Sequence, residues 1–204
     1  MKGLAFAFIL LFALLFAPKA GATEIESEAY RVGVRDELTI EVFGHEDLTR
    51  AVVVAEDGTI SFPLLESVSV KGLTTQEIAN HMRDRLGVNY LVNPHVECKV
   101  AVYRSQPVEV MGAVTKSGIY YLEGPTHLSA VLLDAGWVDS EKSNGQVLIS
   151  RGGQTIVVML EQLNQNKDNL LLEANDVVTL PEGQFVFVSG EVIKPGQFLY
   201  TNGL

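Results

Sequence analysis

The stretch Val108–Gly118, VEVMGAVTKSG, returns at Val186–Gly196 as VFVSGEVIKPG. Val108, Val110, Gly112, Val114, Lys116 and Gly118 match Val186, Val188, Gly190, Val192, Lys194 and Gly196 at a constant offset of 78 residues. That offset is the length of a small domain rather than of a solenoid repeat, so the phrase marks a domain boundary. Each copy reads as a strand whose alternate valines face a core, followed by a tight turn. Gly112 and Gly190 interrupt the alternation where a bulge or a close backbone approach is expected. Lys-Ser-Gly and Lys-Pro-Gly supply turn chemistry, proline presetting φ and glycine accepting positive φ.

The first 22 residues stand apart from the fold. Lys2 opens a short positive region, Leu4–Ala17 is an apolar run of 14 residues, and Ala20-Gly21-Ala22 has the small-x-small form of a signal-peptidase site. The run is too short to cross a bilayer comfortably, so it reads as a secretory signal peptide rather than an anchor. The expected compartment is the periplasm. Cys98 is the single cysteine, which excludes an intrachain disulfide and leaves no lipid acceptor at the cleavage site. It alternates with Val96, Val100 and Val102 and is expected to be a small buried hydrophobe. Removing Lys2 and Lys19 leaves 13 basic residues against 25 acidic, a net charge of −12. That balance argues against nucleic acid as a partner, because phosphate neutralisation needs clustered Lys and Arg.

After a linker at 23–29, strands are expected at Leu38–Phe43, Ala51–Val54 and Thr59–Phe62. Glu56-Asp57-Gly58 between the last two predicts a hairpin, and Pro63 ends the strand. A helix follows. Thr74-Thr75-Gln76-Glu77 forms a capping box, Ile78, Met82 and Leu86 share one face, and Gly87 is expected to close it. Asn93-Pro94 is a turn before a strand at Val96–Tyr103. Pro107 marks a joint into a second block. There a short helix is expected over about Thr126–Ala135, stopped by Gly136. Val147–Ser150 and Thr155–Met159 pair around Arg151-Gly152-Gly153-Gln154, Leu160–Leu163 is a helical turn, and Val177–Leu180 is a strand after the turn Glu173–Asp176. Short strands with one helix across a sheet face give an α+β fold.

These residues resemble the outer-membrane polysaccharide export, or Wza-like, family. The family's opening phrase appears as Tyr30-Arg31-Val32-Gly33-Val34-Arg35-Asp36, with Arg35 where glycine is usual. It continues through Leu38–Gly44, Asp57-Gly58-Thr59-Ile60, Pro63-Leu64, Gly72-Leu73-Thr74 and Asn93-Pro94. The repeated valine-glycine phrase is similar to the opening of a soluble-ligand-binding β-grasp domain. Asp134-Ala135-Gly136-Trp137 matches its helix end, with Trp137 replacing a second glycine. The resemblance implies an export domain at 30–104, a β-grasp domain at 105–182 and an incomplete second β-grasp repeat at 183–204. It further implies a homo-oligomeric ring near the outer membrane through which capsular or extracellular polysaccharide passes, with an inner-membrane co-polymerase below. Without the family's lipid-acceptor cysteine and C-terminal amphipathic helix, the chain is expected to need an outer-membrane β-barrel partner.

No catalytic, cofactor or metal motif is present: there is no Gly-x-Ser-x-Gly, P-loop or His-Glu-x-x-His. His45, His81, His95 and His127 fall in separate elements, and Glu46/Asp47 read as a solvated loop rather than a glycosidase pair. The candidates for contact with sugar or with a neighbouring subunit are Tyr103, Tyr120, Tyr121, Trp137 and Arg151. Tyr120 and Tyr121 must point to opposite faces of a strand. Arg151 either offers a cation to an acidic polymer or belongs to a plain turn. The final hairpin is left without its helix, stranding Phe187, Ile193, Phe198, Leu199 and Tyr200. Two readings stand open: a truncated gene, or a short form whose hairpin pairs with its own second domain or a neighbouring subunit. The expected role is a conduit. The alternatives are a monomeric carbohydrate-binding or adaptor protein and, more remotely, an enzyme acting on polysaccharide.

Overall fold

The computed structural model describes residues 29–139, 142–165 and 167–200. The expected signal peptide at 1–22 and the expected linker up to residue 28 lie outside the described residues. Within them the architecture is mixed α+β, with three α-helices and four small sheets.

In β1 (Glu37–Val42) every second residue is buried, so Leu38, Ile40 and Val42 face inward. β1 is the centre of a three-stranded antiparallel sheet, flanked by β2 (Arg50–Val53) and β5 (Val96–Val102). β3 (Thr59–Phe62) and β4 (Glu66–Ser69) form a separate hairpin. α1 (Thr75–Asn89) buries Ile78, Ala79, Met82 and Leu86 in one stripe. Its start is fixed by the expected capping box: Glu77 N–H donates to Thr74 Oγ1 at 3.2 Å, and Thr74 N–H donates to Glu77 Oε2 at 2.8 Å. These elements close the first core, which holds Phe62 and Met82 together with Leu38, Ile40 and Val42.

Two expectations are corrected here. The Asp57-Gly58 turn forms, with Gly58 N–H on Ala55 O and Ala55 N–H on Thr59 O, but the strands it joins do not pair with each other. A turn fixes chain reversal, not partnership; β2 finds four partners along β1, Glu37–Ile40, and β3 pairs onward with β4. Gly87 does not close the helix, which runs on to Asn89 with Tyr90 N–H still reaching Leu86 O. A glycine stops a helix when it turns left-handed; Gly87 does not, and the cap is Tyr90, φ −124°.

The second core is built on β6 (Pro107–Gly112), β7 (Gly118–Tyr121), β8 (Gln146–Arg151), β9 (Gln154–Met159) and β10 (Val177–Leu180), in the spatial order β7-β6-β10-β8-β9. β6 and β10 run parallel at the centre and every other pair is antiparallel. α2 (Leu128–Asp134) lays Leu128, Val131 and Leu132 into the same core as Val108, Val110, Ile149, Val178 and Leu180. α3 (Leu160–Asn164) is the expected helical turn. The β8–β9 hairpin turns on Gly152 and Gly153 alone, φ 55° and 82°, as its sequence demanded.

Gly112 explains itself here. Its φ is +95°, and a β-carbon would stand 2.0 Å from Leu180 O, so the central parallel pair closes only over a glycine.

β11 (Gln184–Val188) and β12 (Gly196–Tyr200) form an isolated hairpin. Its pairing repeats that of β6 and β7: Val108↔Tyr120 and Val110↔Gly118 recur as Val186↔Phe198 and Val188↔Gly196. Gly190 keeps the left-handed φ of Gly112, at +108°, yet nothing described lies within 4 Å of its missing β-carbon. Phe187 and Ile193 are 76% and 99% exposed. The side chains of Phe198, Leu199 and Tyr200 lie outside the described ones.

Both positions where the resemblance leads one to expect glycine sit at positive φ, Arg35 at 74° and Trp137 at 64°. The backbone keeps the glycine conformation and the side chain bears the strain. Arg35 reaches only an exposed ion pair with Glu56 at 3.0 Å. Arg35→Gly is therefore expected to raise stability by up to about 1 kcal/mol in urea titration. Trp137→Gly is expected to lower it, because Trp137 packs against the second core.

Candidate functional site

The opening phrase of the first block folds around a buried carboxylate. Asp36 is fully buried. Its Oδ1 accepts from the N–H groups of Arg104 and Ser105, at 2.8 and 2.9 Å. Its Oδ2 accepts from Gly33 N–H at 2.8 Å, Tyr30 O–H at 2.6 Å and Ser105 O–H at 3.0 Å. Tyr30 also meets Tyr103 edge-on, ring centroids 4.8 Å apart. Burial, and next the Asp36 carboxylate, push the Tyr30 phenol well above the usual tyrosine range. Five donors satisfy one carboxylate, and no salt bridge to it is present among the described residues. Such a site holds geometry; it offers no free lone pair for a reaction.

Arg104–Pro107 is the stretch of chain that links the two cores, and the second core grips its other end. Leu122 N–H donates to Gln106 O at 2.9 Å and Asn175 N–H to Pro107 O at 2.6 Å. Beside this joint a cleft of about 400 Å³ is lined by Tyr30, Arg31 and Gln106 on one wall and Pro125, Leu172 and Glu173 on the other.

The five contact candidates do not converge. Tyr103 belongs to the joint. Tyr120 packs against the second core with its hydroxyl on Lys116 O at 2.7 Å, while its neighbour Tyr121 is exposed, the division that strand alternation requires. Trp137 follows α2 and is half-buried. Arg151 is engaged: its Nε and Nη2 fork onto the Asp176 carboxylate at 2.9 and 2.6 Å, Nη1 meets Glu173 at 2.6 Å, and Nη2 also reaches Leu171 O. It closes the turn before β10 rather than projecting into solvent. Sequence reasoning missed both buried aspartates. Asp36 falls within a turn motif and Asp176 within a turn, and neither position announces its burial in the sequence.

Of the four histidines, His81, His95 and His127 are exposed, and His95 tilts against Phe43 at 4.8 Å. Glu46 and Asp47 are exposed in a 3₁₀ turn, Glu46–Leu48. Cys98 is buried, as expected, and burial pushes its thiol up to about 12. Ellman's reagent at pH 8 is expected to leave the folded protein unmodified and to titrate one thiol per chain in urea. The folded-state pKa lies above the unfolded one, so the thiol's stabilising contribution is full below pH 9.0 and is lost as pH rises toward about 12.

Residues 24–101 match the family model described as polysaccharide biosynthesis/export protein. The chain is 28% identical over 204 residues to the EPS I polysaccharide export outer membrane protein EpsA of Ralstonia nicotianae, covering 85% of this chain and 53% of that protein. The protein of the same description from Ralstonia solanacearum is 29% identical, with 85% and 54% covered. The exopolysaccharide production protein ExoF of Rhizobium meliloti is 27% identical over 188 residues, covering 83% of this chain and 45% of that protein. The chain thus spans about half the length of the relatives it matches.

Proposed function

Because the chain, through residues 24–101, belongs to the polysaccharide biosynthesis/export family, we propose that it is a periplasmic, ring-forming component of a polysaccharide export channel associated with the outer membrane. The observation that carries this reading is that similarity to proteins named for polysaccharide export extends over 85% of the chain, past the matched family segment and into the second core. We read residues 30–104 as the export domain and 105–182 as a soluble-ligand-binding β-grasp domain. The spatial order of its strands, second-first-fifth-third-fourth, with the first and fifth parallel and a helix across one face, supports that reading. We read 183–204 as the opening of a second such unit, supported by the register its β11–β12 hairpin shares with β6 and β7.

The mechanism is a conduit. Identical subunits close a lumen through which hydrated polymer slides without tight binding, so the work is done by shape and not by bond chemistry. An inner-membrane co-polymerase delivers the polymer, and an outer-membrane β-barrel completes the path. Exposed apolar residues on the last hairpin, Phe185, Val186, Phe187 and Ile193, supply a surface for the subunit contacts a ring needs.

Native mass spectrometry of the processed chain at micromolar concentration tests the ring. A closed oligomer of one dominant size is the expected result. A monomer would sink the ring and leave a carbohydrate-binding or adaptor role. Deleting the gene is expected to abolish surface polysaccharide; unchanged surface polysaccharide would remove the export reading itself.

A further inference from the structure

Two hydrophobic cores joined by one short peptide ordinarily move relative to each other, because little surface opposes the motion. The connection here has no slack. Its first two N–H groups, at Arg104 and Ser105, are held by Asp36 of the first core. The carbonyls of the next two residues, Gln106 and Pro107, are held by Leu122 and Asn175 of the second. Each of four consecutive residues thus has a backbone group fixed, two to each side.

Gly33 completes the seat. A β-carbon there would lie 2.4 Å from Ser105 Cβ, so the peptide approaches the first core only because position 33 is bare. Tyr30 adds its ring against Tyr103 and its hydroxyl on the same carboxylate oxygen that Ser105 uses. Three residues of the opening phrase, Tyr30, Gly33 and Asp36, thus bear on the joint, while Arg31, Val32 and Arg35 bond within the first core.

We infer that Tyr30, Gly33 and Asp36 form a clasp that fixes the angle between the two cores, so that the chain moves as one rigid body. The carboxylate suits this task because it accepts from both parties at once: Gly33 and Tyr30 on its own side, Arg104 and Ser105 on the other. Lifting Arg104 and Ser105 off the first core would strand a fully buried carboxylate without three of its donors, which is costly in a site that water does not reach. The inference does not depend on the export reading, since it concerns the single chain.

Pulsed electron spin resonance between labels at His81 on α1 and Gln162 on α3, both exposed, reads the angle directly. Native Cys98 stays silent because it is buried. In the otherwise unchanged protein a single narrow distance peak is expected. Asp36→Ala is expected to widen it at least twofold. Should Asp36→Ala unfold the first core, Gly33→Ala serves instead: it pushes Ser105 off its seat while leaving the carboxylate in place, and the same widening is expected. A broad or multimodal distribution in the unsubstituted joint would overturn the inference. So would a peak that stays narrow in whichever variant retains both cores.

Discussion

Alanine at position 112 is expected to divide the five-stranded sheet, whereas alanine at position 190 is expected to leave it whole. The two glycines occupy the same place in the repeat and share a left-handed backbone, φ 95° and 108°, so both substitutions incur a similar conformational cost. They differ in surroundings. At 112 the new methyl would stand 2.0 Å from the carbonyl oxygen of Leu180, a backbone atom that cannot swing aside; at 190 nothing described lies within 4 Å. Relief at 112 requires β10 to leave β6, and that parallel ladder is what unites the β6–β7 hairpin with the β8–β9 hairpin. Crowding and backbone strain together place the loss on the order of 3–5 kcal/mol for Gly112→Ala. Gly190→Ala should cost the second core less than about 0.5 kcal/mol. Urea unfolding followed by fluorescence of Trp137, the sole tryptophan, which packs on that core, measures both. Equal losses would mean that the close approach at 112 is not what the glycine serves.

Arg151→Ala is expected to destabilise the same core by about 3 kcal/mol or more, through a different cause. Asp176 is 1% exposed and its two oxygens take the guanidinium fork, with Glu173 N–H as a further donor. Removing the arginine leaves a buried charge with one donor. Arg151→Lys keeps the charge but not the fork, and an ammonium cannot also span Glu173 and Leu171 O, so a loss of about 1–2 kcal/mol is expected. Replacing both partners, Arg151→Met with Asp176→Leu, is expected to recover much of the loss, because the penalty lies in the unpaired charge rather than in the missing pair. Thermal unfolding of the three variants orders them; an alanine variant no weaker than the lysine variant would refute the account.

The sequence yielded individual elements more readily than their partnerships. Alternation located β1, and i to i+4 spacing with the Thr74–Glu77 box located α1, because both patterns are local. The β2–β3 reading failed at the step where β2 had to choose between its neighbour along the chain and β1, a choice made by the sheet that β1 and β5 complete together. The β3–β4 hairpin went unread for another reason. Its left-handed positions are Leu64 and Glu66, φ 67° and 57°, where no glycine or asparagine announces a turn. The joint was legible only in part. Tyr30, Gly33 and Asp36 stand out as a phrase, but an aspartate in a turn looks solvated until Arg104 and Ser105, nearly 70 residues on, arrive to cover it. Arg151 looked available for the same reason: its partner Asp176 lies 25 residues downstream.

The repeat also sets a problem of choice during folding. β6 and β11 carry the same valine-glycine phrase, so β10 has two near-equivalent edges to join. Within one chain the decision is made by connectivity: only Pro181–Gly183 separates β10 from β11, and a parallel partner needs a crossover of a dozen residues or more. β6, reached through α2 and the β8–β9 hairpin, has that length to spare. Between chains the restriction vanishes, and the β10 strand of one copy can lie along β11 of another without any reversal. Dilution therefore favours correct closure of the second core, and crowding offers the exchange of strands between copies. The glycine retained at 190 keeps that second edge open.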